Sequence, residues 1–87
     1  MKKVWHDTAW GDYLLWQTED KKTLKKINQL IQEIERNGYN CIGKPEPLKG
    51  RLSGWWSCRI DEKNRLVFRL KEEVLEINSC NGHYGDK

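Results

Sequence analysis

The chain has 87 residues, of which 37% are hydrophobic and 33% charged, and its 16 basic and 13 acidic side chains give a formal charge of +3. Recurrent aromatic and branched residues exclude a disordered chain, and no apolar run nears the roughly 20 residues of a membrane-spanning helix. Residues 1–87 suit one domain, too small to hide more than about 60% of its extended surface, so a partner subunit would add stability.

The start, "MKKVWHDTAW", meets charged residues before an apolar run can build, so no secretory leader is expected. "KKVWH" reads as an opening strand, and Asp7 or Thr8 is placed to cap a helix by accepting a backbone N–H. In "AWGDYLLW", Trp10, Tyr13 and Leu14 fall on one helical face. Thr18 and Asp20 break and restart the chain. Leu24, Ile27, Ile31 and Ile34 then recur at helical spacing with Leu30 beside them, ending at Gly38 as a left-handed C-cap. Lys21, Lys22, Lys25 and Lys26 read as a solvated face of this helix that an acidic partner could also meet.

Residues 41–54, "CIGKPEPLKGRLSG", read as a stiff loop that sets Glu46 between Pro45 and Pro47 and flanks it with Lys44 and Lys49. Together with Arg51 and Arg59 these lysines make a local basic surface suited to a polyanion.

Beyond this loop the period changes to two. Trp56, Cys58 and Ile60 share one strand face, and Trp55, Ser57, Arg59 and Asp61 share the other. In "RLVFRL", Leu66, Phe68 and Leu70 oppose Arg65, Val67 and Arg69; in "VLEINSC", Leu75 and Ile77 point inward. These are the strands of an antiparallel meander with one dry side. Matching faces predicts Ile60 opposite Leu66, with Asn64 left-handed in the loop. It also predicts Leu70 opposite Leu75, Phe68 by Ile77, Arg69 by Glu76 and Arg65 by Cys80.

Cysteines at 41, 58 and 80 are odd in number and include no Cys-x-x-Cys, so a disulfide framework is not expected and the chain reads as cytoplasmic and reduced. Cys80-x-x-His83 has ligand-like spacing. In this register, however, Cys80 faces the polar side and Cys58 the dry side, so no metal site is expected.

His83 follows an Asn81-Gly82 turn close to where Arg65 begins its strand, so Arg59, Arg65 and His83 can converge on one polar face, with Glu46 if its loop returns over it. Such a set suits RNA cleavage. A carboxylate or imidazole takes the 2′-OH proton and an imidazolium protonates the leaving 5′-oxygen. Arginines match the non-bridging phosphate oxygens, and Tyr84 or Trp55 could stack on an unpaired base. The residues alone support a small α+β domain that binds or cleaves RNA.

"KINQLI", "GKPEPLK", "LSGWWSCRIDEKNRLVF" and the terminal "HY" resemble the Txe/YoeB toxins of bacterial toxin–antitoxin modules, within the RelE-like superfamily. The resemblance runs from Val4-Trp5 to His83-Tyr84. It implies an α+β fold, β-α-α followed by an antiparallel meander, with two helices on one sheet face. It implies metal-independent, cofactor-free endoribonucleolytic cleavage of mRNA in the ribosomal A site. Glu46 would be the general base, His83 the general acid, Arg65 the transition-state arginine and Tyr84 the substrate-orienting tyrosine, with Lys49 and Arg59 at the phosphates. A cognate antitoxin, mRNA with the ribosome and its small-subunit RNA, and a second copy of the chain would be the partners, with no membrane.

The chain departs from the family pattern at a few positions. Gly85, Asp86 and Lys87 follow His-Tyr, Cys58 stands where a second basic residue is common, and Asn64 stands where histidine is frequent. The alternatives are a toxin of this fold that acts on DNA gyrase, and a non-catalytic RNA- or ribosome-binding module.

Overall fold

The computed structural model describes residues 1–82. Strand β1 (Lys2–Trp5) leads into helices α1 (Asp7–Glu19) and α2 (Lys21–Asn37). A two-residue strand β2 (Glu46–Pro47) and strands β3 (Trp56–Arg59), β4 (Arg65–Lys71) and β5 (Val74–Ser79) follow. The five strands form one sheet in the order β1-β5-β4-β3-β2. Both helices cover one face of it, the α+β RelE-like arrangement that the resemblance implied. The sheet is mixed rather than purely antiparallel, because β1 joins β5 in parallel, with Trp5 beside Ile77.

The period of α2 holds. Ile27, Leu30, Ile31 and Ile34 are buried against Cys58, Leu66, Phe68, Leu75 and Ile77 from the sheet. Asp20 caps α2 through the Lys22 and Thr23 amides. Gly38 ends it with φ 58°, but its ψ of −133° lies outside the left-handed helical basin, and a short 3₁₀ turn (Gly38–Asn40) follows. Helix α1 differs from the sequence reading in two ways. His6 is its N-cap position without a side-chain cap, and Asp7 lies in the first turn, where it faces the positive end of the helix dipole. Ala9, Tyr13 and Trp16 turn toward the core, whereas Trp10 and Leu14 are each 46% exposed.

The predicted pairs between β4 and β5 are present: Leu70 with Leu75, Arg69 with Glu76 and Phe68 with Ile77. Past that point a bulge leaves Asn78 without a counterpart, so that Val67 pairs with Ser79. The extra residue turns Cys80 to the dry side, where it is 0% exposed beside Ala9, rather than to the polar side opposite Arg65. Burial pushes its thiol up to about 12, as it does for Cys58.

The pairing of β3 with β4 is also shifted from expectation. Cys58, not Ile60, lies opposite Leu66, and Arg59 opposite Arg65. The loop is ordered by Asp61, whose carboxylate accepts the amides of Lys63 and Asn64 at 2.8 and 2.7 Å; Asn64 is not left-handed.

The turn from β4 to β5 is the two-residue pair Glu72-Glu73, with φ of 49° and 65°. Two left-handed residues match the twist of a tight hairpin, yet neither is the asparagine or glycine such turns favour. Glu73→Gly is therefore expected to stabilise the fold by about 0.5–1 kcal/mol, or roughly 3–6 °C in Tm for a domain of this size, measured by thermal unfolding. A drop in Tm would show that the glutamate makes a compensating contact.

Candidate functional site

Directly paired residues in an antiparallel ladder point to the same side of the sheet, and so do residues two positions along. Glu46 pairs with Ser57, Ser57 with Val67, and Arg59 with Arg65. Glu46, Ser57, Arg59, Arg65, Val67 and Arg69 therefore share the face that the helices leave open. Strand spacing and rise put the α-carbons of Glu46 and Arg65 about 12 Å apart, within joint reach of one phosphate and its ribose. Arg59 and Arg65 are like charges directly opposite each other, an arrangement that repels unless an anion lies between them.

Arg65 is 9% exposed. Its guanidinium donates to the carbonyls of Asp61 and Asn64 at 2.6 and 3.1 Å rather than to the Asp61 carboxylate. Hydrogen bonds from Asn64 and Lys63 outweigh the desolvation that would raise Asp61, so its carboxyl titrates below the ordinary range. The start of β4 also holds the end of the described chain. The Arg65 amide donates to the Gly82 carbonyl at 2.9 Å, and the Gly82 amide donates to Asn64 Oδ1 at 2.8 Å. From the helix layer, Trp16 donates to the Cys80 carbonyl at 2.8 Å and the Asp12 carboxylate accepts the Cys80 amide at 2.9 Å. Burial raises the Asp12 carboxyl, opposed by that amide. His83 and Tyr84 lie outside the described residues.

The segment carrying Glu46 is held as the sequence suggested, but by strand pairing and not as a stiff loop. Glu46 and Pro47 form an edge strand on β3, a position where a missing proline N–H costs nothing in the ladder. The entry to it is held at Gly43, whose carbonyl accepts the Arg59 amide at 2.7 Å. With φ of 92°, and with a Cβ there 3.2 Å from Cys58 Cβ and from the Arg59 carbonyl, this position accepts only glycine without strain. The exit is held by the Leu48 amide on the Trp55 carbonyl at 2.9 Å. Lys44, Glu46 and Lys49 are exposed, and Glu46, Pro47, Leu48 and Lys49 line a shallow hollow of about 360 Å³.

Beneath this edge lies a small second core of Leu48, Trp55 and Val67, with Leu52 against it. Trp55 is 8% exposed. The Arg69 guanidinium sits 4.2 Å from its ring centroid, and the His6 ring meets it edge-on at 5.3 Å. Trp55 thus underpins the face instead of presenting an open ring to a base. Glu76 ties the group together. It accepts from Arg69 at 2.7 and 3.2 Å, and its Oε2 lies 3.1 Å from His6 Nε2. The Arg69–Glu76 pair was legible as a cross-strand neighbour. His6 was missed, and only its place just after β1, the strand parallel to β5, brings it to Glu76.

Arg69, and after it His6, hold the Glu76 carboxyl below its ordinary value of 4.5. A depressed folded-state value stabilises the fold above the unfolded value, and that contribution is lost as pH falls through the folded one. Glu76→Gln is expected to cost about 0.5–1 kcal/mol near pH 7. Its Tm deficit should close as the pH drops below 4.5. A deficit independent of pH would assign the loss to packing.

Among the described residues, no three His, Cys, Asp or Glu side chains come together as a metal ion would need.

A family model described as the YoeB-like toxin of bacterial type II toxin-antitoxin system matches residues 5–84. The "Toxin YoeB" of Escherichia coli (strain K12) is 49% identical over 84 residues, covering 97% of this chain and 100% of the relative. The "YoeB/ParE toxin from Agrobacterium tumefaciens" superposes with a TM-score of 0.91 at 43% identity, over 97% of this chain and 100% of that one. The Staphylococcus aureus YoeB, solved as a dimer, gives a TM-score of 0.90 at 42% identity, over 97% of this chain and 98% of that one. In its complex with YefM it gives 0.89 at 41% identity with the same coverage.

Proposed function

The chain belongs to the YoeB-like toxins of bacterial type II toxin–antitoxin systems, and on that premise we propose that it is a ribosome-dependent endoribonuclease that cuts mRNA in the A site. The supporting observation is the shared open face of Glu46, Arg59 and Arg65, with the chain anchored through Gly82 to the Arg65 amide one residue before His83.

Glu46 takes the proton of a ribose 2′-OH. The freed oxygen attacks the adjacent phosphorus, the bond to the 5′-oxygen breaks, and His83 gives that oxygen its proton, leaving a 2′,3′-cyclic phosphate. Arg65 and Arg59 face the charge that builds on the non-bridging oxygens, the work a metal would otherwise do. Lys49 and Lys44 hold the strand on either side of the base, Tyr84 orients the substrate, and Trp55 supports the face from below. Pairing with β3 limits the wandering of Glu46, and positioning of this kind contributes several kcal/mol in favourable cases, on the order of 5.

The same membership supports a cognate antitoxin and a second copy of the chain as partners. Trp10 and Leu14, each 46% exposed, and Val4 at 38% offer the apolar surface an interface uses. No described helix is long and apolar enough to cross a membrane, and action on ribosomes places the protein in the cytoplasm.

Mapping mRNA 5′ ends on programmed ribosomes after adding the purified chain tests the activity. Discrete cuts within the A-site codon are expected. DNA damage on expression without such cuts would instead favour a gyrase toxin, and ribosome binding without cuts a non-catalytic module.

A further inference from the structure

Two arginines of β4 stand at equal reach from Glu46. Glu46 pairs with Ser57 and Ser57 with Val67, and Arg65 and Arg69 each lie two residues from Val67 on the same side of the sheet. Strand spacing and rise put both α-carbons about 12 Å from that of Glu46 and about 14 Å from each other along β4. Their surroundings differ. Arg65 donates to two neutral carbonyls. Arg69 gives Nε and Nη2 to the Glu76 carboxylate at 2.7 and 3.2 Å, a side-on pair that offsets its charge. Arg69 is therefore the weaker partner for a phosphate.

What Arg69 offers instead is a plane. Glu76 fixes its orientation, and His6 Nε2, 3.1 Å from Glu76 Oε2, steadies Glu76 in turn. The guanidinium lies over the Trp55 ring, 4.2 Å from its centroid. Trp55 is itself wedged between Leu48 and Val67. The Arg69 side chain stays 36% exposed, so the stack of indole and guanidinium remains open to the sheet's free face. A guanidinium plane held at a fixed angle takes a nucleobase much as an aromatic ring does, and the indole beneath supports it by cation–π attraction. The Leu48 amide donates to the Trp55 carbonyl, so exposed Lys49 follows directly beside this stack. An RNA strand that crosses Glu46 toward Lys49 passes over it.

We propose that Arg69, stacked on Trp55 and clamped by Glu76, is a base-binding subsite that takes the nucleobase next to the scissile phosphate, on the Lys49 side. This rests on the nuclease reading and deepens it: Arg59 and Arg65 meet the phosphate, and Arg69 meets a neighbouring base. Every base has a π-face, so the subsite accepts all four and favours the larger purines, which stack more strongly.

The test is binding of the full chain to ribosomes programmed with an mRNA whose A-site codon carries 2′-deoxy sugars, so that the attacking hydroxyl is missing and nothing is cut. Nucleotides in and just after the codon are made abasic one at a time. At one position the parent is expected to bind the intact mRNA about tenfold more tightly than the abasic one. Arg69→Ala should bind both within about twofold. That variant also bares the Glu76 carboxylate, which weakens binding to either mRNA alike and cancels in the ratio. Arg69→Lys keeps an ion pair with Glu76 but lacks the plane, so it should lose the base preference while melting close to the parent.

A tenfold ratio kept by both variants, or an abasic series that never weakens the parent, would overturn the proposal. So would a ratio lost in Arg69→Ala and kept in Arg69→Lys, which would replace stacking by charge. Cleavage of the all-ribose mRNA without any abasic effect removes the subsite and leaves the nuclease reading standing. An abasic effect that depends on Arg69, without cleavage of the all-ribose mRNA, keeps the subsite and removes the nuclease reading.

Discussion

Glu46→Gln is expected to lower single-turnover cleavage of ribosome-bound mRNA by about 10²–10⁴-fold. The substitution keeps the shape of the side chain and removes its capacity to accept the 2′-OH proton. Because Glu46 is exposed on a two-residue edge strand, the change in stability should stay within about 0.5 kcal/mol. Ribosome binding should be retained, since the lysines and arginines that meet phosphate are untouched. The measurement pairs a cleavage time course with thermal unfolding of the same preparation. Undiminished cleavage with normal unfolding would remove Glu46 from the reaction and leave the proline-flanked strand without its proposed purpose.

Arg65→Ala is expected to act on two quantities at once. Cleavage should fall by about 10²–10³-fold through loss of the charge facing the phosphorane. Stability should fall by about 1–3 kcal/mol, because the guanidinium holds the Asp61 and Asn64 carbonyls in a part-buried turn. That turn also binds Gly82 through Asn64, so the loss extends to the anchor of the chain end. Arg65→Lys separates the two roles. An ammonium can still reach one carbonyl and recover part of the stability, but it lacks the planar fork that meets a phosphate with two donors. Cleavage by the lysine variant should therefore remain at least about tenfold below the parent. Full activity in either variant would show that Arg65 is a structural residue alone.

The site was partly legible from the linear order of residues. Glu46 stood out between Pro45 and Pro47 with lysines around it, and Arg59 and Arg65 fell on the polar positions of their strands. The face they share was the right one, even though the pairing predicted between β3 and β4 was displaced by two residues. A slip of two leaves every side chain on its own side, so alternation cannot detect it. The choice was made by the Asp61 carboxylate, which captures the Lys63 and Asn64 amides and closes the loop at Ile60 and Asn64. Between β4 and β5, matching Leu70 with Leu75 on the dry face found the register as far as Phe68 with Ile77, beyond which the bulge displaces it.

By itself the sequence determined helix α2, the three strands of the meander and their dry side, since each rests on a periodicity that burial rewards. Only the tertiary structure decided which stripe of α1 turns inward. Trp10-Leu14 and Ala9-Tyr13-Trp16 have equally helical spacing, and contact with Asn28 and Cys80 selects the second. It also decided the bulge at Asn78 that buries Cys80, the conversion of the Glu46 loop into an edge strand, and the meeting of His6 with Glu76. Each depends on one or two contacts between residues far apart in the chain. Such contacts leave no periodic trace, and their energy exists only once the sheet is assembled.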